Sequence, residues 1–293
     1  MSSLSAQQQQ QHIGLIVTGE RTVSDFRIFV RTCEMWHPDA TLYVFTDSAT
    51  APALREIRTR LTVHLRTALD AYSGKGRVEM EAMPGATYGT LWSDFMYQKA
   101  AVMEWIFATV PSGTDVWFLD ADITLLAPLP SVPAAARVAL SPHFIRDADC
   151  RLFGRYNGGF LMMRERALLD VWRAAGHRAR FYEQSALEEV AAAATATAAA
   201  ALYEFPPQVN FGWWRMYQGA ETPAAIQAKF SLFRADAASV GIRYDGAALQ
   251  SVHTHWYDHA RETGAFNAWF DAYTARFAGG HAPLRTLRRV LGL

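Results

Sequence analysis

The chain has 293 residues, 51% hydrophobic and 13% aromatic, enough to bury a sizeable core. Its 28 basic and 28 acidic residues cancel, which speaks against the net basic surface that nucleic-acid binding needs. Two cysteines, Cys33 and Cys150, make no disulfide framework, and no Cys/His spacing suits a zinc site.

Met1 to Gln11 is polar and Gln-rich, without a basic n-region or apolar h-region, and reads as a disordered tail rather than a signal peptide. No apolar run approaches the ~20 residues that span a bilayer, so the expected location is cytoplasmic, or peripheral on the cytoplasmic membrane face. His12 to Gly19 reads as a first strand ending in turn chemistry. Ser24 is placed to cap the following helix, which His37-Pro38 stops. Thr41 to Asp47 is a second strand ending in a carboxylate. A helix over Ala51 to Leu61 leads to a short strand at Thr62 to Leu65. Strands alternating with helices predict a parallel sheet with βαβ crossovers, and ligands beyond the carboxyl ends of its strands. Thr18, Gly19 and Asp47 fall at such ends. They are candidates to hold a base or ribose, and each fits equally as a turn residue.

Ala71 to Tyr88 has little periodicity and reads as a surface loop, whereas Trp92 to Phe107 keeps helical spacing. Within that helix Asp94 and Lys99 fit ordinary solvated charges; a lysine near a diphosphate would also serve as a point charge. The apolar run Val116 to Leu119 then delivers Asp120 and Asp122, separated by the small Ala121. In an extended segment residues i and i+2 point to the same side, so the two carboxylates converge. Two hard oxygen ligands at the edge of a buried strand suit a Mg²⁺ or Mn²⁺ ion that also holds a diphosphate. Standing alone, such a pair is commonly a chance occurrence.

Arg137 to Leu140 is another short strand, and Ser141 to Arg155, with Asp147 and Asp149, reads as a polar loop. In Tyr156-Asn157-Gly158-Gly159-Phe160, paired glycines entering an apolar strand imply positive φ or close backbone approach. Asn157 offers the donors and acceptors that sugar hydroxyls require. Taken alone, the same letters favour an Asn-Gly hairpin turn. A helix over Ala167 to Ala175 precedes one that starts at Phe181 and carries Glu183 and Gln184. The alanine/threonine run to Ala201 extends it. The aromatic stretch Tyr203 to Tyr217 reads mainly as core. His253 and His255, two apart on an extended segment, face one side, and either completes a metal site begun by Asp120 and Asp122. Residues 284–291 form a short basic amphipathic tail, suited to touch an anionic membrane surface or simply to pack.

In this order the motifs resemble the GT-A class of nucleotide-sugar glycosyltransferases, especially the retaining type of glycogenin and the bacterial lipopolysaccharide galactosyltransferases. The resemblance runs from Ile13 to about Asp258. It implies an α/β, Rossmann-like domain over 12–275, a mixed and mostly parallel sheet flanked by helices, with 276–293 as a basic tail. Lys99 stands where that family has a basic residue before its D-x-D strand, which Asp120-Ala121-Asp122 matches. Asn157-Gly158-Gly159 matches its N-x-G strand, Glu183-Gln184 its Asp-Gln pair, and His253 or His255 its late metal histidine. The implied cofactor is Mn²⁺ or Mg²⁺, held by Asp120, Asp122 and His253 or His255. The implied donor is a nucleotide-diphosphate sugar, a UDP-sugar first, touching Thr18, Gly19, Asp47, Lys99, Asp120, Ala121, Asp122 and Gly158. Asn157 and Glu183 would orient the donor sugar and Gln184 would lie near its anomeric carbon; the acceptor would be a glycan, protein or lipid hydroxyl.

Two departures stand out: Glu183 replaces the usual Asp, and no Gly-x-x-Lys-Pro-Trp follows the histidines. With no strong nucleophile beside Gln184, retention is the expected outcome; inversion would need Asp147 or Asp149 as base. Asp120-x-Asp122-x-Thr124 also fits the D-x-D-x-T signature of haloacid-dehalogenase-like phosphatases. A non-catalytic nucleotide-sugar-binding module is the third reading.

Overall fold

The computed structural model describes residues 10–234, 240–278, 285 and 288–290. β1 (His12–Ile16), α1 (Glu20–Trp36), β2 (Thr41–Thr46), α2 (Ala51–Arg55) and β3 (Thr62–Thr67) alternate as predicted. Next come α3 (Arg77–Ala82), α4 (Leu91–Met96), α5 (Gln98–Phe107), β4 (Val116–Leu119), β5 (Ile123–Leu125), β6 (Val138–Pro142), α6 (Asp147–Phe153) and β7 (Tyr156–Met163). They are followed by α7 (Ala167–Gly176), α8 (Leu187–Thr197), β8 (Leu202–Glu204), β9 (Phe211–Gly212), α9 (Trp214–Tyr217) and α10 (Pro223–Ala228). The remainder holds β10 (Phe230–Arg234), β11 (Val240–Tyr244), β12 (Ala247–Ala248), β13 (Ser251–His253) and α11 (Arg261–Ala278).

One sheet runs in the order β3-β2-β1-β4-β7-β6-β8. Every neighbouring pair is parallel except those of β7, which runs against both β4 and β6. The sheet is therefore mixed and mostly parallel, as the resemblance implied. Its central strands bury both faces, which is why they read as continuous apolar runs. On β4, Val116 and Phe118 join the core under α5 and α7, while Trp117 and Leu119 join the core under α1.

Two consequences of this topology build the site. First, β1 has β2 on one side and β4 on the other, so the carboxyl edge there is a switch point where loops diverge and leave a crevice. Second, because β7 is antiparallel, its first residues lie at that same edge. Between Leu140 and Ser141 of β6 the pairing with β7 jumps from Leu161 to Asn157, a bulge that leaves Gly158, Gly159 and Phe160 without partners on β6. A small sheet, β5-β13-β9, closes the crevice: His253 pairs with Ile123, and Thr254 N–H donates to Asp122 O at 3.1 Å.

Several predicted elements differ. α1 starts at Glu20 with Gly19 at its cap, and the Ser24 hydroxyl donates to Glu20 O instead of capping. α2 ends at Arg55 rather than Leu61, since Glu34 of α1 takes the Arg60 N–H at 2.6 Å and draws the chain out of the helix. The loop expected over residues 71–88 contains α3. It is organised by Asp94, which is buried and not solvated: its carboxylate accepts N–H bonds from Ala86, Thr87 and Tyr88. The helix predicted from Trp92 breaks at Tyr97, where Ala100 N–H bonds Tyr97 O in a tightened turn. α6 occupies the segment read as a loop; none of its residues is buried, so it leaves no apolar stripe in the sequence. The Asn157-Gly158 hairpin does not form, as both residues lie inside β7. The helix expected from Phe181 starts at Leu187.

The aromatic stretch is mainly core, with Phe205, Phe211 and Trp214 buried. Among the described residues no helix is long and apolar enough to cross a membrane. Of the N-terminal tail, Met1 to Gln9 lies outside the described residues, while Gln11 O accepts from Thr41 N at 2.8 Å. Half of the basic segment 284–291 also lies outside them; Arg288 is described and pairs with Asp271 of α11 at 2.6 Å.

Removing the Asp94 carboxylate leaves three backbone donors without their acceptor. Asp94→Ala is expected to lower stability by about 1–3 kcal/mol in urea unfolding at unchanged slope. A loss below about 0.5 kcal/mol would show that the 84–90 turn holds itself.

Candidate metal centre

Asp120 is the first residue past β4, and its N–H donates to Gly159 O at 2.8 Å, extending the β4–β7 pairing by one step. Asp122 sits at the start of β5, across from His253 at the end of β13. His253 Nε2 lies 3.2 Å from Asp122 Oδ1 and 3.8 Å from Asp120 Oδ2. One ligand atom from each of Asp120, Asp122 and His253 falls within 4.8 Å of the others. Two carboxylates and one imidazole are a donor set that suits Mn²⁺ or Mg²⁺, and their spacing fits a single ion.

Gly159 makes this convergence possible. A Cβ there would lie 2.2 Å from Asp120 Oδ2 and 2.6 Å from the His253 ring. A Cβ on Gly158 would lie 2.5 Å from Glu183 Oε1. The paired glycines therefore serve close approach, and neither has positive φ.

His253 is oriented by residues behind it. Its Nδ1 lies 3.2 Å from Asn210 Oδ1, and Asn210 Nδ2 donates to Asn157 Oδ1 and to Ser141 Oγ, both at 3.1 Å. Those donations fix the Asn210 amide with oxygen toward the ring, so His253 Nδ1–H is the donor and Nε2 faces the carboxylates. Asn157 Oδ1 also accepts Gly159 N–H at 3.0 Å, so its oxygen is engaged within the protein. Trp214 packs edge-on against His253 at 5.0 Å.

Lys99 is neither a solvated charge nor free to extend toward a ligand. It is buried, with Nζ 2.8 Å from Glu183 Oε1, 3.2 Å from Asp120 Oδ1 and 3.2 Å from Gly158 O. Three contacts match its three protons. Burial works against the cation, but Asp120 and Glu183 outweigh it and hold the ammonium above the ordinary lysine range. Glu183 is delivered by a strained step: Tyr182, just before it, has φ 43°, and Trp172 Nε1 holds the Glu183 carbonyl at 2.7 Å. Gln184 donates from Nε2 to Phe153 O at 2.9 Å and lies against Gly158.

The carboxylates respond in opposite directions. Desolvation, with Asp122 and Glu183 nearby, pushes Asp120 up despite Lys99 and His253. Asp122 is driven well below the usual range: burial opposes ionisation there, but His253 and His255 outweigh it. His255 stands outside the three-residue cluster. Its Nε2 is 3.6 Å from Asp122 Oδ2 and its Nδ1 2.7 Å from Asp25 Oδ2. The Asp122 carboxylate, with Asp25, raises His255 to about 9.

Thr18, Gly19 and Asp47 share the carboxyl edge. Asp47 accepts from the hydroxyls of Thr18, Thr50 and Ser73 and from the N–H groups of Ala49 and Thr50. It is the knot of the loops after β1 and β2, as a turn residue would be. Gly19, at φ 82°, donates to Thr50 Oγ1 at 2.8 Å, and the space where a side chain would project is open. Ala121 is buried beneath the cluster. Asp149 pairs with Arg146 at 2.7 Å, and Asp147 is exposed on α6. The sequence reading missed Asn210, in the turn before β9, and Asp25, on the buried side of α1.

No family model and no curated protein matches the chain. Among solved structures it is similar to mouse xyloside xylosyltransferase 1 in its apo form, at 10% identity over 83% of this chain and 97% of that one, TM-score 0.49. It is similar to the galactosyltransferase LgtC in complex with donor and acceptor sugar analogues, at 11% identity over 69% and 76%, TM-score 0.44. A third is the glycosyltransferase GlyE of Streptococcus pneumoniae TIGR4, at 11% identity over 70% and 48%, TM-score 0.41.

Next to the cluster, His143 is buried, its Nδ1 2.9 Å from Gly154 O. Burial, helped by Arg215, lowers its pKa to about 4 although the carbonyl of Gly154 pulls the other way. Between pH 6.5 and 4 the unfolded chain binds more protons at this site, so its contribution is full above pH 6.5 and is lost as pH falls through 4. Comparison of the parent with His143→Gln in urea is expected to show their stability difference shifting by about 2 kcal/mol between pH 7 and 5, against the parent. A difference constant with pH would refute it.

Proposed function

We propose that this chain is a metal-dependent glycosyltransferase that moves a sugar from a nucleotide-diphosphate sugar, a UDP-sugar first, to a hydroxyl acceptor with retention. The observation that carries the reading is the convergence of Asp120, Asp122 and His253 at the switch-point edge of the sheet, over glycines that leave room for it. A bound Mn²⁺ or Mg²⁺ would supply neutralising charge for the departing diphosphate. Asp120, Asp122 and His253 would hold it, and Asn210 keeps the His253 ring in the ligating orientation.

Thr18, Gly19 and Asp47 are assigned to the nucleoside end, with Ala121 and Gly158 beside the diphosphate. Asn157 and Glu183 frame the sugar pocket, Glu183 with its carboxylate on Lys99. That ion pair supports retention: the carboxylate next to Gln184 is neutralised and buried, and is no ready nucleophile. Transfer from the same face, with the leaving diphosphate taking the acceptor proton, asks only that Gln184 line the sugar's far side. The inverting alternative has less support, as Asp147 is exposed and Asp149 is held by Arg146.

The phosphatase reading loses the residue that suggested it. Thr124 is fully buried, and its hydroxyl accepts from Trp256 Nε1 at 2.7 Å.

The test is a screen of nucleotide sugars for Mn²⁺-dependent hydrolysis and transfer, followed by NMR of the product anomer. We expect one donor to turn over with its configuration kept, and Asp122→Ala to cut turnover at least ~100-fold while the melting temperature stays near the parent's. Phosphate release from a simple ester without a nucleotide sugar would overturn the reading. Nucleotide binding without turnover would make the chain a binding module.

A further inference from the structure

Asp25 lies on the buried side of α1 with Val23, Phe26, Ile28 and Phe29 and is itself almost fully buried. Its Oδ2 lies 2.7 Å from His255 Nδ1. Its Oδ1 is buried and has no hydrogen-bond partner. A buried carboxylate oxygen left unsatisfied costs about 1–3 kcal/mol, and an apolar residue of similar volume would avoid that cost. Docking of α1 onto the segment after β13 does not explain it, because Arg21, one helical turn earlier, already pairs with Asp258 at 2.7 Å.

What Asp25 does is aim a ring. With Nδ1 fixed on Asp25, His255 turns Nε2 to Asp122 Oδ2 at 3.6 Å, while His253 Nε2 approaches the other oxygen, Oδ1, at 3.2 Å. The two imidazoles thus address the two oxygens of one carboxylate. Each is steadied from behind by a different group, Asn210 for His253 and Asp25 for His255.

We propose that Asp25 is a positioning residue for the metal centre, acting through His255 to set the rotation of the Asp122 carboxylate. The proposal rests on reading Asp120, Asp122 and His253 as a metal site. Asp25 touches no ligand itself; it makes a chain Asp25–His255–Asp122 from α1 to the cluster. Outer partners of this kind change metal affinity by about 10–100-fold when removed.

The experiment is calorimetric titration of the full chain with Mn²⁺ alone, on the parent, Asp25→Ala, Asp25→Asn, His255→Ala and the Asp25→Ala/His255→Ala pair, with a melting curve for each. The expected result is an Mn²⁺ Kd at least ~10-fold weaker in Asp25→Ala, with a smaller loss in Asp25→Asn, whose amide oxygen still accepts from Nδ1. The melting temperature is expected to hold or rise. In the His255→Ala background, Asp25→Ala is expected to add no further loss, because its partner is gone. An unchanged Kd in Asp25→Ala, or a full additional loss in the pair, overturns the positioning role. A lower melting temperature with the parent's Kd would make Asp25 structural. If Asp25→Ala fails to fold, Asp25→Asn set against His255→Ala decides the same question. Absence of Mn²⁺ binding by the parent sinks the metal reading itself, a separate outcome.

Discussion

The contact on which this centre depends is the buried ammonium of Lys99. Three elements distant in sequence send it an oxygen each: Asp120 past β4, Gly158 in β7, and Glu183 before α8. A lysine taken out of water costs several kcal/mol unless its charge and protons are met, and here two carboxylates and a carbonyl meet them. The same contacts make the acidic cluster tolerable. Asp120, Asp122 and Glu183 crowd three carboxylates into one crevice, and Lys99, with His255 raised to about 9 by Asp122, is the protein's own counter-charge. Breaking the lysine's hold would leave negative charge buried.

Around that cation the geometry is set by what the strands lack as much as by what they carry. Two glycines without side chains let β7 approach Asp120, His253 and Glu183, and one antiparallel strand in a parallel sheet brings its entry to the ligand edge. Polar residues at the cluster are bonded in chains: Ser141 and Asn157 to Asn210 to His253, and Asp25 to His255 to Asp122. Such chains orient rings and carboxylates before any ligand arrives.

Much of this was legible in the letters. Strands buried on both faces declare themselves as apolar runs, so the alternating sheet was readable. A carboxylate pair past such a run reads as a candidate ligand set. The exact role of the glycines was not, because close approach and a hairpin turn use the same Asn-Gly letters, and only the partner strand decides between them. Lys99 fitted a surface charge and a diphosphate contact equally well, because helical spacing shows which face it shares but not which carboxylates the rest of the chain will bring there. Asn210 and Asp25 gave no periodic or motif signal, and their meaning comes from partners 43 and 230 positions away. α6 went unseen for the opposite reason: a helix with no buried face has no pattern to read.

The small sheet that closes the crevice has a consequence for how the molecule comes into being. Asp122 sits beside β5, midway along the chain, but its histidine partner arrives only with β13, a pairing of very long sequence separation. During synthesis the carboxylates exist long before the imidazole that completes them. A growing chain would therefore hold an acidic edge with weak cation affinity until its last strand threads between β5 and β9. Long-range closures of this kind are slow to form, and ions that bind only the closed form pull folding toward completion. Any cation affinity of this centre would thus be a late-acquired property, a signature that the final strand has been seated.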